Sequence, residues 1–195
     1  LMAGFDPEND QSLDYRIHQH FVAHGRYHPD IREALAQRIH DHAIDNALHE
    51  FLEYGDDGLT QKKGIGFMGG HGILRTDPHY RNVAQAAQLL AREGYLIISG
   101  GGPGIMEAAN LGAYMAKYSQ RDLEEAIHLL CQAPASDHPQ HFAQSKAVID
   151  AYSSEVESLT GPTWFYGHER SNLFATNIAK YFSNSIRQDG LLAIS

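Results

Sequence analysis

Residues 96–113 read LIISGGGPGIMEAANLGA. An apolar, β-branched run stops at three consecutive glycines, crosses Pro103-Gly104 and becomes a helix-like sequence. This succession of strand, glycine turn and helix constrains the chain more than any of its other features. It brings backbone N–H groups and the positive end of a helix to one sheet edge, the usual way for a fold to hold a phosphate.

The rest of the chain extends the pattern in both directions. Residues 64–70, GIGFMGG, read as a buried strand, followed by a helix over 77–93 with Asp77 as N-cap and Pro78 at its first position. After the glycine segment, AIHLLCQ (126–132) reads as a third strand and residues 141–159 as mostly helical. PTWFYG (162–167) reads as a fourth strand, 169–187 as a long helix and GLLAIS (190–195) as a fifth strand. Strands alternating with helices of this length imply βαβ units, so the predicted class is α/β, a doubly wound parallel sheet with helices on both faces. An N-terminal helical extension precedes it. A short helix is expected over 15–22, and a longer amphipathic one over 30–54, capped by Asp30. Its expected apolar face is Ile31, Leu35, Ile39, Ala43, Ala47 and Phe51. The predicted organisation is an arm and helix over 1–62 and a Rossmann-like domain over 63–195.

In such folds ligands bind outside the carboxyl ends of the strands. Gly69 and Gly70 fall there after the first strand, and Gly100, Gly101, Gly102 and Gly104 after the second. A dinucleotide fingerprint does not fit. Gly64, Gly66 and Gly69 match G-x-G-x-x-G inside the first strand, where it has no meaning. After the second strand the third glycine position is the bulky Glu107, and Ser99-Gly100 stand where a ribose-binding acid belongs. No Lys-Ser or Lys-Thr pair follows the glycines, which excludes a P-loop. A mononucleotide-like or sugar-phosphate-like anion site remains.

The formal net charge of −9 argues against a nucleic-acid or anionic-membrane partner, and no apolar run approaches the length of a membrane span. The single cysteine, Cys131, excludes an internal disulfide and fits a cytoplasmic location. The 13 histidines lack metal-ligand spacing, so no metal is expected. No lysine sits in a context for a pyridoxal phosphate Schiff base, and no organic cofactor is expected.

The stretch from GFMGGH to GGGPGIMEAANLGA resembles the first βαβ unit of Lonely Guy (LOG)-type nucleotide-binding proteins, often labelled "lysine decarboxylase-like". Gly69-Gly70-His71 also resembles bacterial purine/pyrimidine nucleotide monophosphate nucleosidases, and YGHERSNLF resembles the family's M-x-x-R-K segment, with Arg170 on its arginine and Ser171 replacing its lysine. The resemblance implies hydrolysis of the N-glycosidic bond of a nucleoside 5′-monophosphate to free base and ribose 5-phosphate, by a homo-oligomer. It implies a catalytic role for Arg170 in orienting the nucleotide or stabilising developing charge. His71 is expected either to contact phosphate or base, or to be a loop histidine bonded to backbone. Glu107 is expected at the nucleotide site in a structural or ribose-contacting role. The family's PGGxGTxxE loop, which carries its catalytic glutamate, is expected beyond Ser195, so the chain is expected to be truncated and inactive by itself. A non-catalytic nucleotide-sensing module is the alternative.

Overall fold

The computed structural model describes Gly4, Asp6 and residues 9–55, 60–168 and 170–195. Four parallel strands form one sheet in the order β1-β2-β3-β4: β1 (Gly64–Phe67), β2 (Leu96–Ser99), β3 (Ser158–Thr160) and β4 (Asn177–Ile178). Seven helices are described: α1 (Leu13–Ala23), α2 (Ile31–Phe51), α3 (Pro78–Arg92), α4 (Ile105–Tyr114), α5 (Gln120–Leu130), α6 (His141–Ala151) and α7 (Asn184–Ala193).

The alternation of side chains along β2 shows how helices come to cover both faces. Ile97 packs with Ala87 of α3 and with Ala109 and Ala113 of α4. Leu96 and Ile98 point the other way, onto Leu48 and Leu52 at the end of α2 and Leu191 and Ile194 of α7. The α/β class with helices on both faces of a parallel sheet is therefore observed. Small residues set the spacing between α3 and α4. A Cβ at Gly112 would run into the carbonyl oxygen of Ala84 and lie 2.8 Å from the Ala87 methyl, so only glycine allows this crossing.

Strong local signals placed several elements as expected. Asp30 accepts bonds from the N–H groups of Arg32 and Glu33 at the start of α2, and Asp77 accepts from His79 at the start of α3. The apolar face predicted for α2 turns outward instead: Ile31, Leu35 and Ile39 are 73, 56 and 69% exposed, and Ala43 and Ala47 are exposed too. Asp41 decides the rotation. It is fully buried and accepts the backbone N–H groups of Phe182 and Ser183 at 2.9 and 2.8 Å.

The later half of the chain departs from the predicted elements. Residues 126–130 belong to helix α5, because Ser119 and Asp122 form a capping box and Leu123, Ala126, Ile127 and Leu130 bury one helical face. The third strand is Ser158–Thr160, within the stretch predicted helical, where α6 has already ended at Ala151. Residues 162–167 form a turn joined to Tyr181 by one bridge at Thr163. Of the long helix expected over 169–187, only residues 184–187 are helical, as the start of α7, and 170–183 take an irregular path and β4 instead. There, the Asn172 side chain accepts the Phe174 N–H, and Thr176 exchanges two bonds with the Ser158 backbone. Side chains that bond nearby backbone in this way compete with a helix. The first four residues of GLLAIS are helical as well, since the end of α7 and its C-cap place Leu191 and Ile194 on the sheet. A short apolar run does not by itself distinguish a strand from a buried helical turn.

Candidate functional site

At the carboxyl edge of β2 the chain turns through Gly100, Gly101, Gly102, Pro103 and Gly104 into α4. The turn is held from below by side chains. Gly101 N–H donates to Ser99 Oγ at 3.1 Å, and Ser99 Oγ donates to Asn110 Oδ1 at 2.6 Å. Asn172 donates its backbone N–H to the Gly101 carbonyl at 3.0 Å and its amide to Asn110 at 3.0 Å. Arg187 of α7 reaches the Gly100 carbonyl at 3.1 Å. The segment carrying Arg170 is thereby tied to the glycine turn.

The loop after β1 lies across the start of α4. The Ile105 N–H donates to the Gly70 carbonyl at 3.3 Å, and a Cβ on Gly104 would meet that carbonyl together with those of His71 and Ile73. Gly104 has φ +70°. The first N–H of α4 is thus spent within the protein, whereas those of Gly102 and Gly104 take no acceptor among the described residues.

A cavity of about 340 Å³ opens beside this turn, lined by His71, Pro103, Ser136, His141, Phe142, His168, Arg170 and Asn172. A second, of about 250 Å³, shares His71, Pro103, Ser136 and His141 with it and extends toward Gly104, Glu107 and Asp137. The structure brings His71, Pro103 and Arg170 to the first cavity, while Gly104 lines only the second. Arg170 is exposed there, with its guanidinium 5.5 Å from the centre of the Phe142 ring. Gly69 and Gly70 are exposed in the overlying loop, while Gly100, Gly101 and Gly102 are buried beneath it. Among the described residues, the walls of the larger cavity hold one arginine, three histidines and no carboxylate.

Glu107 borders the second cavity but not the first, and is 1% exposed in a closed network. Its two oxygens take Arg75 Nε at 2.9 Å and Arg75 Nη2 at 2.5 Å, and Tyr80 donates its hydroxyl at 3.0 Å. Arg75 spends its remaining hydrogens on the carbonyls of Ala133 and His141 and on Ser145 Oγ. His141 Nε2 lies 3.2 Å from Arg75 Nη2 and 3.4 Å from Glu107 Oε1, beside the ion pair. Its Nδ1 has no partner among the described residues. Burial alone would raise the Glu107 carboxyl, but the Arg75 guanidinium outweighs it and holds the pKa down at about 2.

Because the folded-state pKa lies below the ordinary value of 4.5, Glu107 stabilises the fold fully above that value. The contribution disappears as pH falls from about 4.5 toward 2, and it amounts to roughly 3 kcal/mol. Denaturant titrations at stepped pH should show this loss. Glu107→Gln should be less stable at neutral pH and flatter across the acid window.

Residues 62–118 match the SLOG cluster4 family. That family is part of the broader SLOG/LOG-like superfamily, and the matched stretch is less than a third of the chain. It runs from β1 through the glycine turn and α4 and ends before the Arg170 segment. No curated protein matches the chain. Among the described residues no three His, Cys, Asp or Glu side chains are gathered to hold a metal, and no helix is long and apolar enough to cross a membrane.

Sequence reasoning passed over Arg75, His141, Phe142, His168 and Asn172. His168 and Asn172 stand inside the YGHERSNLF segment, where attention went to Arg170, and the other three stand in no motif; they converge only because residues 134–142, 168 and 170–172 return to the same sheet edge. Cys131 lies at the end of α5, where its thiol donates to the Arg75 carbonyl and burial raises its pKa.

Proposed function

We propose that the cavity beside the glycine turn binds a nucleoside 5′-monophosphate and that the protein hydrolyses its N-glycosidic bond, releasing free base and ribose 5-phosphate. One observation carries the binding part: a wall with Arg170, three histidines and no described carboxylate, in a chain of net charge −9. A cavity with a fixed arginine charge and no described carboxylate on its wall selects a small anion where the overall field does not. Its 340 Å³ fall at the lower end of the range for small-molecule sites. The phosphate lies against Pro103-Gly104 and Arg170, and the base against Phe142. Gripping the remote phosphate lets its binding energy orient the glycosidic bond. Arg170 supplies a planar, permanently charged fork for the phosphate or for charge developing in the transition state.

A second reading, a non-catalytic nucleotide-sensing module, is favoured by Glu107. The acid of the glycine segment is locked to Arg75 and does not reach the larger cavity. Self-association completes either reading, and the exposed Ile31, Leu35 and Ile39 on α2 support it.

Calorimetric titration with AMP, GMP, CMP and UMP, alongside chromatographic measurement of released base, separates the readings. Binding with base release supports the nucleosidase, and binding without release supports the sensor. No binding of any of the four would overturn both. Arg170→Ala is expected to weaken nucleotide binding about 10- to 100-fold, the worth of one charge-assisted contact.

A further inference from the structure

The N-terminal helix contributes to the same cavity through a buried carboxylate. Asp14 of α1 is 5% exposed. Oδ1 accepts Trp164 Nε1 at 2.8 Å and Lys180 Nζ at 2.7 Å. Oδ2 is left for His168, whose Nε2 lies 3.3 Å away. Two further side chains of α1 fix the imidazole plane. Tyr15 meets it edge-on with ring centres 5.1 Å apart, and His18 lies 5.2 Å away.

This arrangement turns one nitrogen of His168 toward α1. Nε2 is buried and lies 3.3 Å from Asp14 Oδ2, within ion-pair distance but outside hydrogen-bond geometry, and it has no other partner among the described residues. Nδ1 takes no partner among the described residues, and His168 forms part of the wall of the larger cavity two residues before Arg170. A ring held between a carboxylate and an arriving phosphate presents one nitrogen to each. Lys180 shares Asp14 Oδ1 with the Trp164 indole. The adjoining His18 is held below its ordinary value, by burial first and by the His168 and Lys180 charges next. It therefore stays neutral beside the ring.

We propose that His168 is a phosphate-contacting residue, donating from Nδ1 to a phosphate monoester, and that Asp14 is its positioning residue, so that α1 is part of the binding site. This rests on the reading of the cavity as a phosphate site but not on any bond being cleaved. Neither the glycine turn nor the superfamily match, which begins at residue 62, points to either residue.

The test uses the full 195-residue chain and three probes: AMP, adenosine and inorganic phosphate. His168→Ala should weaken AMP and phosphate binding roughly 10- to 100-fold and leave adenosine within about twofold. Equal loss for adenosine and AMP, or no loss for AMP, would overturn the proposal. If phosphate binds through His168 and AMP does not bind, the nucleotide reading falls and the contact stands. If neither AMP nor phosphate binds at millimolar concentration, both fall.

Asp14→Asn tests the positioning role but could also unfold the chain by stranding Lys180. Nitrogen NMR of the wild-type imidazoles gives a second route. The His168 Nε2 should be protonated with and without phosphate, and Nδ1 should gain its hydrogen on binding. An Nε2 without hydrogen in the free protein would remove Asp14 from the site.

Discussion

Replacing Arg75 by methionine is expected to cost about 3–5 kcal/mol, a large share of the roughly 5–15 kcal/mol by which a domain is stable. The loss comes from what is left behind. Methionine fills much of the same space but donates no hydrogen, so the Glu107 carboxylate, 1% exposed, loses its counter-charge. The carbonyls of Ala133 and His141 and the Ser145 hydroxyl lose their donor too. Urea unfolding at pH 7 measures the cost. A double change, Arg75→Met with Glu107→Leu, should recover about 2 kcal/mol of it, because it removes the stranded charge as well. A single-variant cost below about 1 kcal/mol would mean that the pair does not clamp α4 to the wall that carries His141. The variant should also loosen that wall, so nucleotide binding should weaken even where the fold survives.

Gly104→Ala is expected to cost roughly 2–6 kcal/mol and to abolish ligand binding, for two reasons that a control can separate. The residue has φ +70° and ψ −127°, a conformation that essentially only glycine adopts. A methyl there would also collide with the Gly70 carbonyl and crowd those of His71 and Ile73 at 3.1 Å. Gly69 also has positive φ, +82°, but nothing lies within 4 Å of a Cβ built on it. Gly69→Ala should therefore cost only about 1–2 kcal/mol, the backbone term alone. Parallel urea titrations of the two variants measure the difference. It combines the collision of the methyl with the β1 loop and the stricter backbone conformation of Gly104, and equal costs would show that neither adds anything.

The two halves of the chain differed in how much a linear reading could recover, and the reason is physical. Up to Tyr114 the elements carry local signatures. Asp30 and Asp77 cap helices, Pro78 opens one, and the glycine turn ends a strand whose four residues are all buried. Each of these signals acts over a few residues and is visible without a partner. Beyond Tyr114 the apolar runs are short, and their conformation depends on what they pack against. Residues 190–193 became helical because α7 and its C-cap lay Leu191 and Ile194 on the face of the sheet that Leu48 and Leu52 also cover. Ser158–Thr160 became a strand because it fits between β2 and β4, with Thr160 Oγ1 3.1 Å from Ser99 Oγ. The rotation of α2 followed the same logic. Its helical period was legible, but a buried Asp41 bonded to the backbone of Phe182 and Ser183 outweighed an apolar stripe on the other side.

By itself, then, the amino-acid sequence determined the α/β class, the caps and the glycine turn at the edge of β2, since each follows from backbone sterics and short-range hydrogen bonds. Only the tertiary structure decided which residues share the cavity. Arg170, His141 and His168 meet at the glycine turn because distant segments return to one sheet edge. Glu107 is withheld from that cavity because Arg75, 32 residues before it, fits its fork to both carboxylate oxygens. Those are long-range contacts between buried charges, and no spacing along the chain encodes them.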